Sequence, residues 1–175
     1  MGCMEIQTIS LPFIEGTLKQ KGQKMEKNNL KILPMTFNDL DEIKDILQSD
    51  FDEFWDYTTF KEELSSSFSK YIVARSSDNT IVGFAGIKIV LDEADLMNIV
   101  TKKNMRSLGI ASSILEYLIT YCKSVKLKSL NLEVNAQNSI AINLYKKYNF
   151  KEVGLRKKYY NNTYDAILMS LSFLN

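Results

Sequence analysis

The sequence contains no histidine. This absence excludes the Ser–His and Cys–His pairs of nucleophilic catalysis, and it removes the commonest protein ligand for zinc. No metal cofactor is therefore expected. An enzyme made from this chain must take its general acid and general base from glutamate, aspartate, tyrosine, lysine or cysteine.

Cysteines and long apolar runs are also scarce. Of the two cysteines, Cys122 follows Leu118 and Tyr121 at helical spacing, which predicts a buried core thiol, and Cys3 lies near the start of the chain. Two such cysteines provide no disulfide framework and indicate a reducing compartment, so a cytoplasmic protein is expected. No apolar run reaches the roughly 18 residues that a membrane-spanning helix needs, so no membrane partner is expected.

Charge is nearly balanced, with 22 basic and 21 acidic residues and a net charge of +1. This balance gives no electrostatic basis for nucleic-acid binding. The basic residues are almost all lysine, and the only arginines are Arg75, Arg106 and Arg156. Because arginine binds carboxylates and phosphates with a rigid, two-pronged geometry, each of the three is a candidate for a specific anionic partner.

The length of 175 residues is typical of one domain with one sizeable core. Residues 1–28 differ in composition from the rest, with glycines and regularly spaced lysines. We therefore predict an N-terminal extension over 1–28 and a single domain over 29–175. Met25 as an alternative translation start, and the role of the extension, are left open.

Hydrophobic periodicity in the domain predicts the order β-α-α-β-β-β-α-β-α-β-β, an α/β fold with a mixed central sheet flanked by helices. Asn38 is the predicted N-cap of the first helix. The capping-box spacing of Thr59 and Glu62 predicts the start of the second. Strict alternation from Ser129 to Val134 predicts a strand with one apolar and one polar face.

The stretch from Leu96 to Ser112 organises the rest of the chain. It begins as an apolar strand, crosses a polar turn, and enters a helical pattern near Gly109. The first amides of a helix lack intrahelical partners, and the helix dipole adds partial positive charge there. Gly109 and Ala111 carry little or no side chain, so a pyrophosphate could approach these amides closely. The alternative is a helix start that uses Gly109 simply as a turn residue.

Several motifs in one order resemble the ribosomal-protein-alanine N-acetyltransferase branch of the GNAT superfamily. The loop from Arg106 to Ala111 matches R-x-x-G-x-A, which is similar to the acetyl-CoA loop of GNAT enzymes. The other motifs are L-D-E-A-D-L-M-N-I from Leu91, L-E-V-N-A-Q-N-S from Leu132, A-I-N-L-Y-K-K-Y-N-F from Ala141, R-K-K-Y-Y from Arg156 and D-A-I-L-M from Asp165. The resemblance covers roughly residues 30–171.

The resemblance implies a GNAT acyl-CoA N-acyltransferase fold and acetyl transfer from acetyl-CoA to a primary amine. The expected acceptor is the N-terminal α-amine of a protein, such as a ribosomal protein. The alternatives are a small-molecule or lysine N-acetyltransferase on the same fold, and a CoA-binding protein without turnover. Asn135 replaces the arginine typical of this branch, which bears on the acceptor more than on the reaction. A monomer and a homodimer both remain open.

Two residues are implied as catalytic. Glu133, on the polar face of its strand, corresponds to the general base that takes a proton from the substrate ammonium through a water molecule. Tyr145 corresponds to the general acid for the departing CoA thiolate, since a phenol can supply that proton. The alternatives are a solvated glutamate at a strand end and a core aromatic residue.

The resemblance also implies a set of CoA-binding residues. An exposed strand edge offers backbone groups to the pantetheine arm, and one amide there could stabilise the oxyanion. The pyrophosphate is expected to bind the loop from Arg106 to Ser112. Asn138 is expected both to cap the following helix and to contact CoA. These residues are Ile99, Val100, Thr101, Arg106, Ser107, Leu108, Gly109, Ile110, Ala111, Ser112 and Asn138. Candidates for the rim of the acceptor site are Phe54, Trp55, Tyr159 and Tyr160.

Overall fold

A computed structural model describes residues 17–19, 24–26, 30–52 and 55–174. The strands are β1 (Thr17–Lys19), β2 (Lys24–Glu26), β3 (Lys31–Pro34), β4 (Ser69–Arg75), β5 (Ile81–Val90), β6 (Glu93–Thr101), β7 (Ser129–Asn135), β8 (Lys151–Tyr160) and β9 (Tyr164–Ser172). The helices are α1 (Phe37–Ile43), α2 (Leu47–Phe51), α3 (Tyr57–Ser65), α4 (Ile110–Ser124) and α5 (Ser139–Lys147).

The central sheet has seven strands in the order β3-β4-β5-β6-β7-β9-β8. Every neighbouring pair is antiparallel except β6 and β7, which run parallel. The predicted mixed α/β sheet is therefore confirmed. The last two strands are not in sequence order within the sheet, because β9 lies between β7 and β8. Outside this sheet, β1 and β2 pair with each other, and the rest of the predicted extension lies outside the described residues.

Helices cover the two faces of the sheet unevenly. On one face, α4 and α5 bury an apolar cluster that includes Ile114, Leu118 and Leu130. On the other face, α1, α2 and α3 bury a cluster around Phe51, Phe60 and Phe84. Cys122 is fully buried in the first cluster, as predicted, and burial raises the pKa of its thiol to about 12.

No helix in the described ranges is long and apolar enough to cross a membrane.

The N-terminus of α1 corrects one prediction. Thr36, not Asn38, is the N-cap: its hydroxyl accepts a hydrogen bond from the Asp39 amide, and the Asp39 carboxylate accepts one from the Thr36 amide at 2.6 Å. Asp39 also forms an ion pair with the buried Arg75 of β4 at 2.5 Å. Both Thr and Asn are good N-caps. The ion pair of Asp39 with Arg75 favours the capping box that Thr36 and Asp39 form.

A second correction concerns α3. The predicted start at Thr59 is wrong, because Asp56 is the N-cap and accepts a hydrogen bond from the Thr59 amide at 2.8 Å. Thr59 therefore lies inside the first turn of the helix. The aspartate carboxylate is the stronger acceptor for the free amides at a helix start, since its charge also matches the helix dipole.

Candidate active site

Strands β6 and β7 pair over only three positions and then separate. The paired residues are Glu93 with Ser129, Ala94 with Leu130, and Asp95 with Asn131.

Beyond this point β6 continues to pair with β5 as far as Thr101, with a bulge at Met97. The edge of β6 that faces β7 has no strand partner in its register from Leu96 onward. We call the space between the diverging strands the β6–β7 opening. Its free edge includes Ile99, Val100 and Thr101, whose backbone groups are available to an extended ligand.

The loop before α4 has the backbone shape that its sequence suggested. Gly109 is the N-cap of α4 with φ 84°, and no side chain caps the helix. Ser107 also has a positive φ of 65°, while Leu108 between them is buried and anchors the loop in the core. The first amides of α4, at Ile110 and its successors Ala111 and Ser112, are therefore free of a protein cap and suit an anionic group.

Two hydroxyls beside this loop are buried without a hydrogen-bond partner in the described part of the chain: Thr101 Oγ1 at the end of β6 and Ser113 Oγ in α4. A buried polar group without a partner costs about 1–3 kcal/mol. Such a cost is recovered when a bound molecule supplies the missing hydrogen bond. The uncapped helix and the two hydroxyls thus fit a polar, phosphate-bearing ligand, and the sequence had not singled out Ser113.

The guanidinium of Arg106 pairs with a carboxylate of the protein itself. Its Nη2 atom lies 2.7 Å from Oδ2 of Asp52, and Lys103 Nζ lies 2.7 Å from the other oxygen of the same carboxylate. These hydrogen bonds, from Lys103 first and then Arg106, hold the pKa of Asp52 below its ordinary value. The loop therefore offers its backbone amides to an anion, while the Arg106 side chain ties the loop to the end of α2.

Glu133 lies in β7 on the face that α4 and α5 do not cover. The predicted alternation is confirmed, because Leu132 and Val134 are buried on the opposite face while Glu133 is partly exposed. Its Oε1 atom forms an ion pair with Nη1 of Arg156 at 2.8 Å. Asp95 lies nearby: burial, followed by the charges of Glu93 and Glu133, raises the pKa of its carboxyl.

Tyr145 lies in α5 and is 5% exposed, with its ring 5.6 Å from that of Phe150. Burial, followed by the charge of Tyr160, raises its pKa. Tyr160, at the end of β8, is itself affected by Glu133: burial and then the Glu133 and Tyr159 charges raise its pKa. Tyr160 thus lies near both predicted catalytic residues.

The remaining predicted site residues differ in burial and in their contacts. Asn138 caps α5 and accepts a hydrogen bond from the Ala141 amide at 3.1 Å, so its structural role is clear. Trp55 packs on Phe60 in an edge contact at 5.9 Å, as a core aromatic does. Tyr159 is half exposed. Phe54 lies outside the described residues.

All three arginines pair with carboxylates. Arg75 pairs with Asp39 and Glu42, and the other two pairs are Arg106 with Asp52 and Arg156 with Glu133. The scarcity of arginine had marked Arg156, but its strand gave no sign that it would reach Glu133. Within the described ranges, no three His, Cys, Asp or Glu side chains form a group able to hold a metal ion.

The sequence profile of the Acetyltransferase (GNAT) family matches residues 40–150. This range begins in α1 and ends just before β8, and it includes the loop before α4, Glu133 and Tyr145.

Known proteins with similar sequences and folds agree with this match. The [ribosomal protein bS18]-alanine N-acetyltransferase of Escherichia coli K12 is 32% identical over 120 residues, which are 67% of this chain and 80% of that enzyme. The crystal structure of the ribosomal-protein-S18-alanine N-acetyltransferase from E. coli superposes with a TM-score of 0.76 at 29% identity and covers 83% of this chain and 95% of that one. Arabidopsis thaliana NAA60, solved with acetyl-CoA, shares the fold with a TM-score of 0.71 at 18% identity and covers 82% and 98%. This chain therefore belongs to the GNAT family and is an acetyl-CoA-dependent N-acetyltransferase.

Proposed function

We propose that this enzyme acetylates the N-terminal α-amine of a protein, with a ribosomal protein as the first acceptor to test. The observation that carries the proposal is the β6–β7 opening, which has a free strand edge on one side and Glu133 on the other. The similarity to an enzyme named for the alanine of ribosomal protein bS18 supports the choice of acceptor.

The acetyl donor is proposed to bind along β6 and the loop before α4. Backbone groups of Ile99, Val100 and Thr101 would hold its extended arm, and the uncapped amides from Gly109 to Ser112 would hold its pyrophosphate. The Thr101 and Ser113 hydroxyls, which are buried without partners in the described part of the chain, are further donors for this ligand. Acetyl-CoA supplies an acetyl group activated as a thioester.

Glu133 is proposed as the general base. It takes a proton from the acceptor ammonium, directly or through a water molecule, so that the neutral nitrogen can form the new C–N bond with the acetyl carbon. Tyr145 is proposed as the general acid, which gives the phenolic proton to the sulfur as the C–S bond breaks. Since burial raises the pKa of Tyr145, the phenol is fully protonated at neutral pH, and its weak acidity favours a late transfer.

The acceptor class is tested by a panel of amines, with release of CoA as the readout. Short peptides with a free N-terminal alanine should be acetylated, because the opening suits an extended chain with its amine beside Glu133. The matched control is the same peptide with a blocked N-terminus and one internal lysine, which should give no turnover. Faster turnover of free lysine or a polyamine than of every peptide would contradict the proposal, as would CoA binding without turnover of any amine.

Replacement of Tyr145 by phenylalanine removes the proton and keeps the ring. We expect kcat to fall by about 100-fold or somewhat less, at the lower end of what general acids contribute, because a phenol with a raised pKa is a weak acid. The affinity for CoA, measured by calorimetry, should stay unchanged, since the ring still packs on Phe150. Tyr121→Phe, a half-buried tyrosine of α4, is the matched control. Wild-type turnover in Tyr145→Phe would assign this side chain to packing alone.

A further inference from the structure

We propose that Arg156 is a positioning residue for this reaction: it holds the carboxylate of Glu133 in the orientation needed to accept the acceptor's proton. This inference rests on the proposed role of Glu133 as general base. It concerns the guanidinium of Arg156 on β8, a strand that has no other part in the proposed mechanism.

The register of the sheet explains why a long side chain is needed at this position. Glu133 of β7 lies opposite Leu168 of β9, and Arg156 of β8 lies opposite Ala166 of β9. The two side chains therefore meet across an intervening strand, and strands two places apart in a sheet are separated by roughly 10 Å. Only a long side chain can span that distance, and the 2.8 Å contact shows that Arg156 does.

The intervening strand leaves room for this contact. Directly opposed residues of antiparallel strands project from the same face of a sheet, so Ala166 lies beneath the Arg156 stem. Ala166 is fully buried, and its methyl group is too small to obstruct the guanidinium. The arginine stem thus passes over a short residue of β9 on its way to Glu133, which lies opposite Leu168.

Arg156 is fixed from its other side as well. Its guanidinium lies 5.5 Å from the ring centroid of Tyr159, and that ring makes an edge contact with Tyr160 at 5.2 Å. A guanidinium held by an aromatic face loses freedom that an exposed arginine normally keeps. The aromatic contact therefore restricts an arginine whose side chain is 53% exposed in its pair with Glu133.

The opposite side of Glu133 carries negative charge. Asp95 is close enough for the Glu133 charge to raise its pKa, after burial and Glu93. Without Arg156, the Glu133 carboxylate would face this repulsion with its observed ion pair lost. We expect it to rotate toward solvent, which would separate the base from the acceptor amine. Because the ion-pair contact of Arg156 is to Oε1, we expect the second oxygen to take the proton.

The test is a double-mutant cycle measured as kcat and KM for an acceptor peptide and acetyl-CoA. Arg156→Ala should lower kcat by about 10- to 100-fold, as expected when a reacting group is misplaced by about 1 Å, with KM for acetyl-CoA unchanged. Arg156→Lys should recover most of the loss, because it keeps a long cationic side chain. Lys157→Ala, one position along the same strand, removes an equal charge and should have wild-type kinetics.

The second background separates the possible roles. If Arg156 acts only through Glu133, the Arg156→Ala change should cost nothing further in the Glu133→Gln enzyme. An equal additional loss of kcat in the Glu133→Gln background would overturn the inference, because Arg156 would then act directly on the acceptor. A wild-type kcat in the Arg156→Ala enzyme would also overturn it. Full activity in Glu133→Gln would instead refute the proposed base itself, so the two failures are distinguishable.

Discussion

Replacement of Glu133 by glutamine should lower kcat/KM at neutral pH by about 10²–10⁴, the range that general bases typically contribute. Glutamine has nearly the same shape as glutamate and can keep an oxygen near Arg156, but it cannot take the proton of the acceptor ammonium. The strand should be undisturbed, since Glu133 lies on the partly exposed face of β7. The affinity for acetyl-CoA should therefore match that of the wild-type enzyme.

The pH dependence makes this prediction specific. An α-amine has an ordinary pKa of about 7.7–8.0, so more of the acceptor is neutral as pH rises above that range. The glutamine variant should therefore recover part of its activity with rising pH, because the base is needed less when the amine already lacks its extra proton. Histidine cannot account for any rise near neutral pH, since the chain has none.

The measurement is kcat/KM against pH for both proteins on one amine peptide, with calorimetric affinity for acetyl-CoA. Glu152→Gln is the matched control: Glu152 lies on β8 in an exposed pair with Lys146, and exposed pairs contribute little. Profiles of the same shape and height for wild type and Glu133→Gln would remove Glu133 from the mechanism. Attack by an already neutral amine, helped by positioning alone, would then remain.

Replacement of Gly109 by valine should nearly abolish CoA binding. Gly109 has φ 84° at the start of α4, a conformation that costs an L-residue about 1–2 kcal/mol. The branched side chain would also stand where the pyrophosphate is proposed to meet the first amides of the helix. A hydrogen bond to a charged group contributes roughly 1.5–3 kcal/mol. Loss of two such hydrogen bonds would weaken CoA binding by about 100-fold or more, since each tenfold change in affinity corresponds to about 1.4 kcal/mol.

Calorimetry with CoA tests this prediction, after a thermal melt has shown that the variant is folded. Gly109→Ala isolates the backbone strain, because it adds only a methyl group and should lose less affinity than valine. Gly154→Val is the matched control on β8, where a Cβ would lie 3.7 Å from the nearest atom of Leu168, an ordinary contact. Wild-type affinity in a folded Gly109→Val protein would show that the pyrophosphate does not sit on this loop.

The sequence by itself determined the elements that depend on nearby residues. Alternation set which face of β7 is buried, and Leu132 and Val134 lie inside as predicted. Helical spacing together with a glycine set the start of α4. The absence of histidine limited the candidate bases before any fold was known. These features follow from local periodicity and from the side chains available, both of which are contained in short stretches of sequence.

Choices between equivalent local signals were made by the tertiary structure. Thr36 and Asn38 are both good N-caps, and the ion pair of Asp39 with Arg75, which are 36 positions apart, accompanies the cap on Thr36. Local propensity cannot choose between these two caps, because the ion-pair partner Arg75 belongs to a different element, β4.

The arrangement of the active site also came only from the tertiary structure. The separation of β6 from β7 after Asp95 depends on how far two strands remain in register, which no single stretch specifies. The pair of Arg156 and Glu133 requires β9 to be inserted between β7 and β8. Strand order is set by packing over the whole sheet, since the energy of a long-range pair appears only after the chain between has folded. The sequence could therefore supply the residues of the site, but the sheet decided which of them meet.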